Sequence, residues 1–86
     1  MERYKVLFRK SATDELNALS GKNLVRILEK IRGLETDPRP PGCRKLASGE
    51  KYRLRQGDYR VVYSVQDAAR TVIVVKIGHR RDVYKR

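Results

Sequence analysis

Arginine, histidine and tyrosine are concentrated in the last third of this chain, in the run KYRLRQGDYRVVYSVQDAARTVIVVKIGHRRDVY from Lys51 to Tyr84. Arg53 and Arg55 are two residues apart, which in a strand sends both to one face and Tyr52 and Leu54 to the other. Arg60 is out of phase with Tyr59, Val61, Tyr63 and Val65 and stands just past a turn, close in space to Arg55. The run then delivers His79, Arg80, Arg81 and, shortly afterwards, Tyr84. Strand pairing that gathers Arg53, Arg55, Arg60, His79, Arg80 and Tyr84 at one end or one face of a sheet makes a phosphate site. A guanidinium offers a planar fork to two phosphate oxygens and keeps its charge at every physiological pH.

The elements that must position these groups are legible from period and punctuation. Tyr52–Gln56, Tyr59–Gln66 and Thr71–Gly78 alternate at period two or are continuously β-branched. Gly57-Asp58 and Asp67-Ala68-Ala69-Arg70 separate them, so the spacing predicts an antiparallel three-strand meander. Upstream, Tyr4–Phe8 reads as a first strand. Ser11 followed by Asp14 resembles a capping box opening a short helix to about Leu19, ended by Ser20-Gly21. A second helix opens at Lys22 or Asn23. Its Leu24, Ile27, Leu28, Ile31 and Leu34 form one buried stripe. The prolines of Asp37-Pro38-Arg39-Pro40-Pro41-Gly42 stop it, and Lys45 to Glu50 reads as a polar turn.

The order β-α-α-β-β-β predicts a two-layer α+β fold, a helical hairpin packed on one face of a small, mainly antiparallel twisted sheet. Tyr59, Val61, Tyr63 and Val65 supply the apolar face beneath the helices. Val62, Ile73, Val75 and Ile77 are left over, and some of them are expected to floor a groove on the other side.

Composition narrows the function classes. The 86 residues make a single domain spanning 1–86. No 18-residue apolar run and no signal-peptide block occurs, so no membrane association and a cytoplasmic location are expected. Cys43 is the only cysteine and has no internal disulfide partner. No Cys/His/Asp cluster has ligand spacing, so neither a metal nor another cofactor is expected. Against 10 Asp and Glu stand 21 Lys and Arg, a net charge of +11. An excess of this size repels itself in a small fold and points to a polyanion, whether RNA, DNA or an acidic protein.

The segment DPRPPGCRKLASGEKYRLRQGDYRVVYSV followed by IGHRRDVY resembles the RelE/ParE superfamily of toxins from type II toxin–antitoxin pairs, the RelE branch in particular. The resemblance covers nearly the whole chain, and GDYRVVY and GHRRDVY are its most specific parts. It implies a RelE-like fold and a ribosome-dependent endoribonuclease that cuts mRNA in the ribosomal A site. It also implies a cognate antitoxin that wraps the toxin in a hetero-oligomer. The two basic positions of the family's Y-[KR]-x-[KR] strand fall on Arg53 and Arg55. Its strand arginine falls on Arg60, the arginine after its G-[HK] pair on Arg80, and its terminal tyrosine on Tyr84.

Metal-free RNA cleavage by the 2′-OH needs a base for that hydroxyl, cations for the phosphorane oxygens and an acid for the leaving 5′-oxygen. On this reading Arg60 neutralises the phosphorane, assisted by Arg53 and Arg55, with Lys51 and Arg81 as further phosphate contacts. Tyr84 is the candidate base. Its reference pKa of about 10 is lowered by neighbouring cations, since one charge at ~5 Å in an effective dielectric of ~20 contributes ~3 kcal/mol. The acid stays open between Arg80 and His79; histidine as a residue type has a reference value of about 6.5, whereas arginine keeps its proton. Packing alternatives exist for each: an edge salt bridge for Arg60, a core cap for Tyr84, a solvated turn for His79. Two other functions compete, a ParE-like gyrase inhibitor and a nucleic-acid-binding module without chemistry.

Overall fold

The computed structural model describes residues 3–46 and 50–79. Five strands and two helices follow one another as β1 (Lys5–Phe8), α1 (Lys10–Asn17), α2 (Gly21–Gly33), β2 (Arg44–Lys45), β3 (Lys51–Gln56), β4 (Tyr59–Gln66) and β5 (Thr71–His79). They build one sheet in the order β1-β5-β4-β3-β2. The meander β3-β4-β5 is antiparallel as expected, and β1 joins β5 in parallel with Lys5 opposite Thr71.

The segment expected to be only a polar turn begins with a strand. Arg44 pairs with Arg53 and Lys45 with Tyr52, and the Leu46 amide donates to the Lys51 carbonyl at 2.9 Å. Two residues are too few to show a period, so only pairing with β3 reveals this strand.

The helix starts also differ from expectation. Ser11 lies inside α1, and the cap position is Arg9, with no side-chain cap hydrogen bond. The strand β1 runs almost directly into the helix. The Arg9 amide donates to the Val74 carbonyl at 3.0 Å, so sheet pairing sets the entry that a capping serine usually sets. Asp14 instead meets Lys10, four residues earlier, at 3.3 Å. Gly21 opens α2 rather than closing α1, and its φ of +61° is the left-handed conformation that glycine adopts without steric cost.

The core forms between the helices and one sheet face. Ala12 of α1, Ile27 and Ile31 of α2 and the following Leu34 pack with Leu54, Val61, Tyr63, Val65, Val72, Val74 and Ile77. Strict alternation along β5 sets Ile77 in phase with Ile73 and Val75, on the other face. A bulge intervenes. Val62 pairs with Lys76 and Tyr63 with Val74, so Val75 is an extra residue and Ile77 returns to the core at 1 % exposure. Val62, Ile73 and Val75 remain on the opposite face.

Beyond Phe8, β1 no longer covers β5, and α1 takes over. Glu15 accepts from the Ile77 amide at 2.7 Å and from Lys76 Nζ at 2.8 Å, so one carboxylate closes the bulged end of the strand. At the other end, Arg39 donates to both oxygens of Asp67 at 3.2 and 2.8 Å and to the Tyr52 hydroxyl at 2.9 Å. The Tyr4 hydroxyl also donates to Asp67, at 2.8 Å. Tyr52 stacks on Tyr63, whose buried hydroxyl donates to the Pro38 carbonyl at 2.8 Å. These contacts tie the proline-rich loop to β3, to β4 and to the turn at Asp67. Hydrogen bonding to Arg39 holds the Asp67 carboxyl below its usual value, and burial pushes the Tyr63 phenol up.

Candidate nucleic-acid interface

None of the five described strands contains an aspartate or a glutamate, yet they carry Lys5, Arg44, Lys45, Lys51, Arg53, Arg55, Arg60 and Lys76. The sheet register decides where these charges meet. Across the strands, Arg44 is opposite Arg53, and Arg53 is opposite Val62. In the next row on that face Arg55 is opposite Arg60, and Arg60 is opposite Gly78. Cross-strand neighbours lie about 4.5–5.5 Å apart at Cβ, and Arg53 and Arg55 are roughly 6.7 Å apart along β3. Four guanidiniums therefore share the face that the helices leave uncovered.

Arg60 is the centre of the group and is buried to 3 % exposure, the only charged side chain so enclosed among the described residues. One terminal nitrogen donates to the Tyr59 carbonyl at 3.3 Å. Its partner across the β5 pair is Gly78, which brings no side chain. Arg53 is half-buried, and desolvation together with the Arg44 and Arg55 charges lowers its pKa, although it remains fully protonated near neutrality. Lys51, exposed and in phase with Arg53 and Arg55, extends the row toward Ser64. A surface of this charge and geometry is chemically suited to holding phosphate oxygens.

The fold brings Lys51, Arg53, Arg55 and Arg60 together. It does not bring His79 to their face. His79 is opposite Tyr59, in the pleat of Val61 and Tyr63, and its ring packs edge-on against Tyr59 at 5.7 Å and 74°. It reaches the same end of the sheet as Arg60 but lines a small cavity of about 290 Å³ on the helical side with Glu15, Leu19 and Ile77. Arg80, Arg81 and Tyr84 lie outside the described residues. Arg44 went unassigned in the sequence because its place depends on β2. Lys30 of α2 went unassigned because it lies on the solvent side of a helical stripe. Among the described residues no three His, Cys, Asp or Glu converge as a metal site, and no helix is long and apolar enough to cross a membrane.

Residues 6–84 match the family described as the ParE toxin of the type II toxin–antitoxin system, parDE. The chain is 31 % identical to Toxin RelG of Mycobacterium tuberculosis over 86 residues, covering 96 % of this chain and 98 % of that one. This chain belongs to the RelE/ParE superfamily of type II toxins. Two solved complexes share its fold. Against the archaeal RelE–RelB complex of Pyrococcus horikoshii the TM-score is 0.81 at 33 % identity, over 91 % of this chain and 96 % of that one. Against the toxin–antitoxin complex RelBE2 of Mycobacterium tuberculosis it is 0.80 at 26 % identity, over 93 % and 94 %. In this superfamily's two-helix, five-strand frame, the basic surface described above occupies the sheet face turned away from the helices.

Proposed function

We propose that this toxin is a ribosome-dependent endoribonuclease that cleaves mRNA in the A site through attack of the 2′-OH on the adjacent phosphorus. The observation that carries the reading is Arg60, buried on a sheet face whose described strands carry no carboxylate, with Arg55 and Gly78 opposite it. A cation already desolvated and held in place stabilises a dianionic phosphorane without reorganising when charge develops. Arg53 and Arg55 assist it, and Lys51 and Arg81 hold neighbouring phosphates. Tyr84 takes the 2′ proton, its phenol made more acidic by these cations. Arg80 stabilises the charge developing on the leaving 5′-oxygen while a solvent water gives it the proton, and the edge-on contact of His79 with Tyr59 on the helical face speaks against the histidine as that donor. The 2′-OH mechanism calls on no metal and no organic cofactor.

The partners follow from charge and kinship. Ribosome and mRNA supply the polyanion that +11 calls for, which places the activity in the cytoplasm. Relatives crystallise with RelB, and a cognate antitoxin here forms a hetero-oligomer by presenting an acidic segment to the same basic surface.

Primer extension on mRNA after induction is the test. Ribosome-dependent cuts within codons, lost in Arg60→Ala and Tyr84→Phe, are expected. Intact mRNA in growth-arrested cells overturns the reading. Because the family match is described by its ParE members, gyrase inhibition is the second reading, and DNA damage with uncut mRNA favours it.

A further inference from the structure

The strand β2 covers only the first part of the β3 edge. Since the Leu46 amide donates to the Lys51 carbonyl, main-chain alternation turns the backbone N–H and C=O groups of Lys51, Arg53 and Arg55 toward the β2 side. Arg44 meets Arg53 there, and no β2 residue is paired with Arg55. At this open step lies a groove of about 540 Å³, lined by Lys30 of α2, Arg44 of β2, Arg53 and Arg55 of β3, together with Leu54 and Cys43. Four cations converge on it from three elements, and no carboxylate is among its lining residues.

We propose that this groove is a second anion site, gripping the sugar–phosphate backbone of single-stranded RNA beyond the scissile position, with Lys30 and Arg44 as its dedicated contacts. The proposal rests on the nuclease reading for which phosphate occupies Arg60, and it adds where the strand goes next. From Arg60 a run of phosphates meets Arg55, then Arg53, then Arg44 across the last strand pair, and passes over the sheet edge to Lys30. The steps are one strand spacing or two residues, about 5 and 7 Å, a spacing suited to the successive phosphates of an extended strand. An acidic amphipathic peptide is a poorer occupant. Leu54 is 3 % exposed and offers the groove little apolar surface to cover. No aromatic ring lines the groove, so it reads the backbone and not the bases.

The test uses fluorescence anisotropy with 2′-O-methyl oligonucleotides, which bind but cannot be cleaved, in a short form spanning only the reaction site and a longer form. Lys30→Gln and Arg44→Gln are expected to weaken binding of the longer strand by about 3- to 10-fold each and to lower the salt slope by about 1, with the short strand unchanged. Lys22→Gln removes an exposed α2 charge away from the groove and controls for net charge. Equal losses on both lengths, equal losses in the Lys22 variant, or wild-type protein with no gain from added length overturns the proposal. So do variants that lose affinity for a polyglutamate peptide while keeping their affinity for RNA, because the groove then serves an acidic protein segment. No ribosome or turnover enters the measurement, so a failed nuclease reading and a failed groove reading give different results.

Discussion

Two arginine sites in this small toxin use the same side chain for opposite purposes. Arg39 stands over the Tyr52 ring at 5.2 Å and forks onto Asp67, which also accepts from Tyr4. Its charge is matched locally, and hydrogen bonding to Asp67 raises its pKa further. Arg60 is far more buried, yet its neighbours across the sheet are Arg55 on one side and Gly78 on the other. The first arrangement stabilises a loop. The second sets positive charges side by side across the sheet, an arrangement suited to a polyanion. One guanidinium is held by a carboxylate that a turn brings to its loop, and the other is set by strand register beside a second arginine.

The largest expected effect breaks the second site and leaves the first alone. Arg60→Ala lowers ribosome-dependent cleavage by about 100-fold or more, the scale of losing one preorganised donor to a transition-state oxyanion, while far-UV circular dichroism is unchanged. Arg39→Ala does the reverse, lowering the melting temperature with little change in RNA affinity. If both variants lose cleavage at equal melting temperature, the contrast between them fails.

A smaller effect is expected at Glu15, which anchors the bulged end of β5. Glu15→Ala removes a charged acceptor and costs about 1.5–3 kcal/mol, with amide exchange at Ile77 accelerated before that of Val65. Tyr63→Phe deletes only the buried hydroxyl bonded to Pro38, for about 1 kcal/mol, or a fall of roughly 4–8 °C in melting temperature for a domain of this size.

The smallest effect is a pH dependence. Because the Asp67 carboxyl is held below its unfolded value, its stabilisation is fully present above that value and is lost as pH falls through the folded one. Wild type therefore loses melting temperature below about pH 4, and Asp67→Asn flattens that part of the profile. An unchanged profile in the variant removes Asp67 as the reason Arg39 is structural.

Much of this was legible in the chain before any coordinates. The α2 stripe from Leu24 to Leu34, the meander with its two turns, and the shared phase of Arg53 and Arg55 are local patterns, each carried by a repeat of 3.6 or 2 residues. They sufficed for the α+β architecture and for the basic strand face. The two-residue β2 was not legible, because no period fits into Arg44 and Lys45. The cap at Ser11 misled because β1 leads straight into α1, and a strand-end hydrogen bond does the cap's work.

The sequence alone determined which segments other than β2 become helix or strand, and that positive charge falls within those strands while acids are left to helices, turns and ends. Tertiary structure decided which charges meet. The parallel pairing of Lys5 with Thr71, the extra residue at Val75 that returns Ile77 to the core, and the register that sets Arg60 beside Gly78 but His79 beside Tyr59 all depend on contacts between distant segments. One residue of slip reverses the face of every side chain that follows it, so the chemistry of the β5 end depends on pairing geometry that no local repeat encodes.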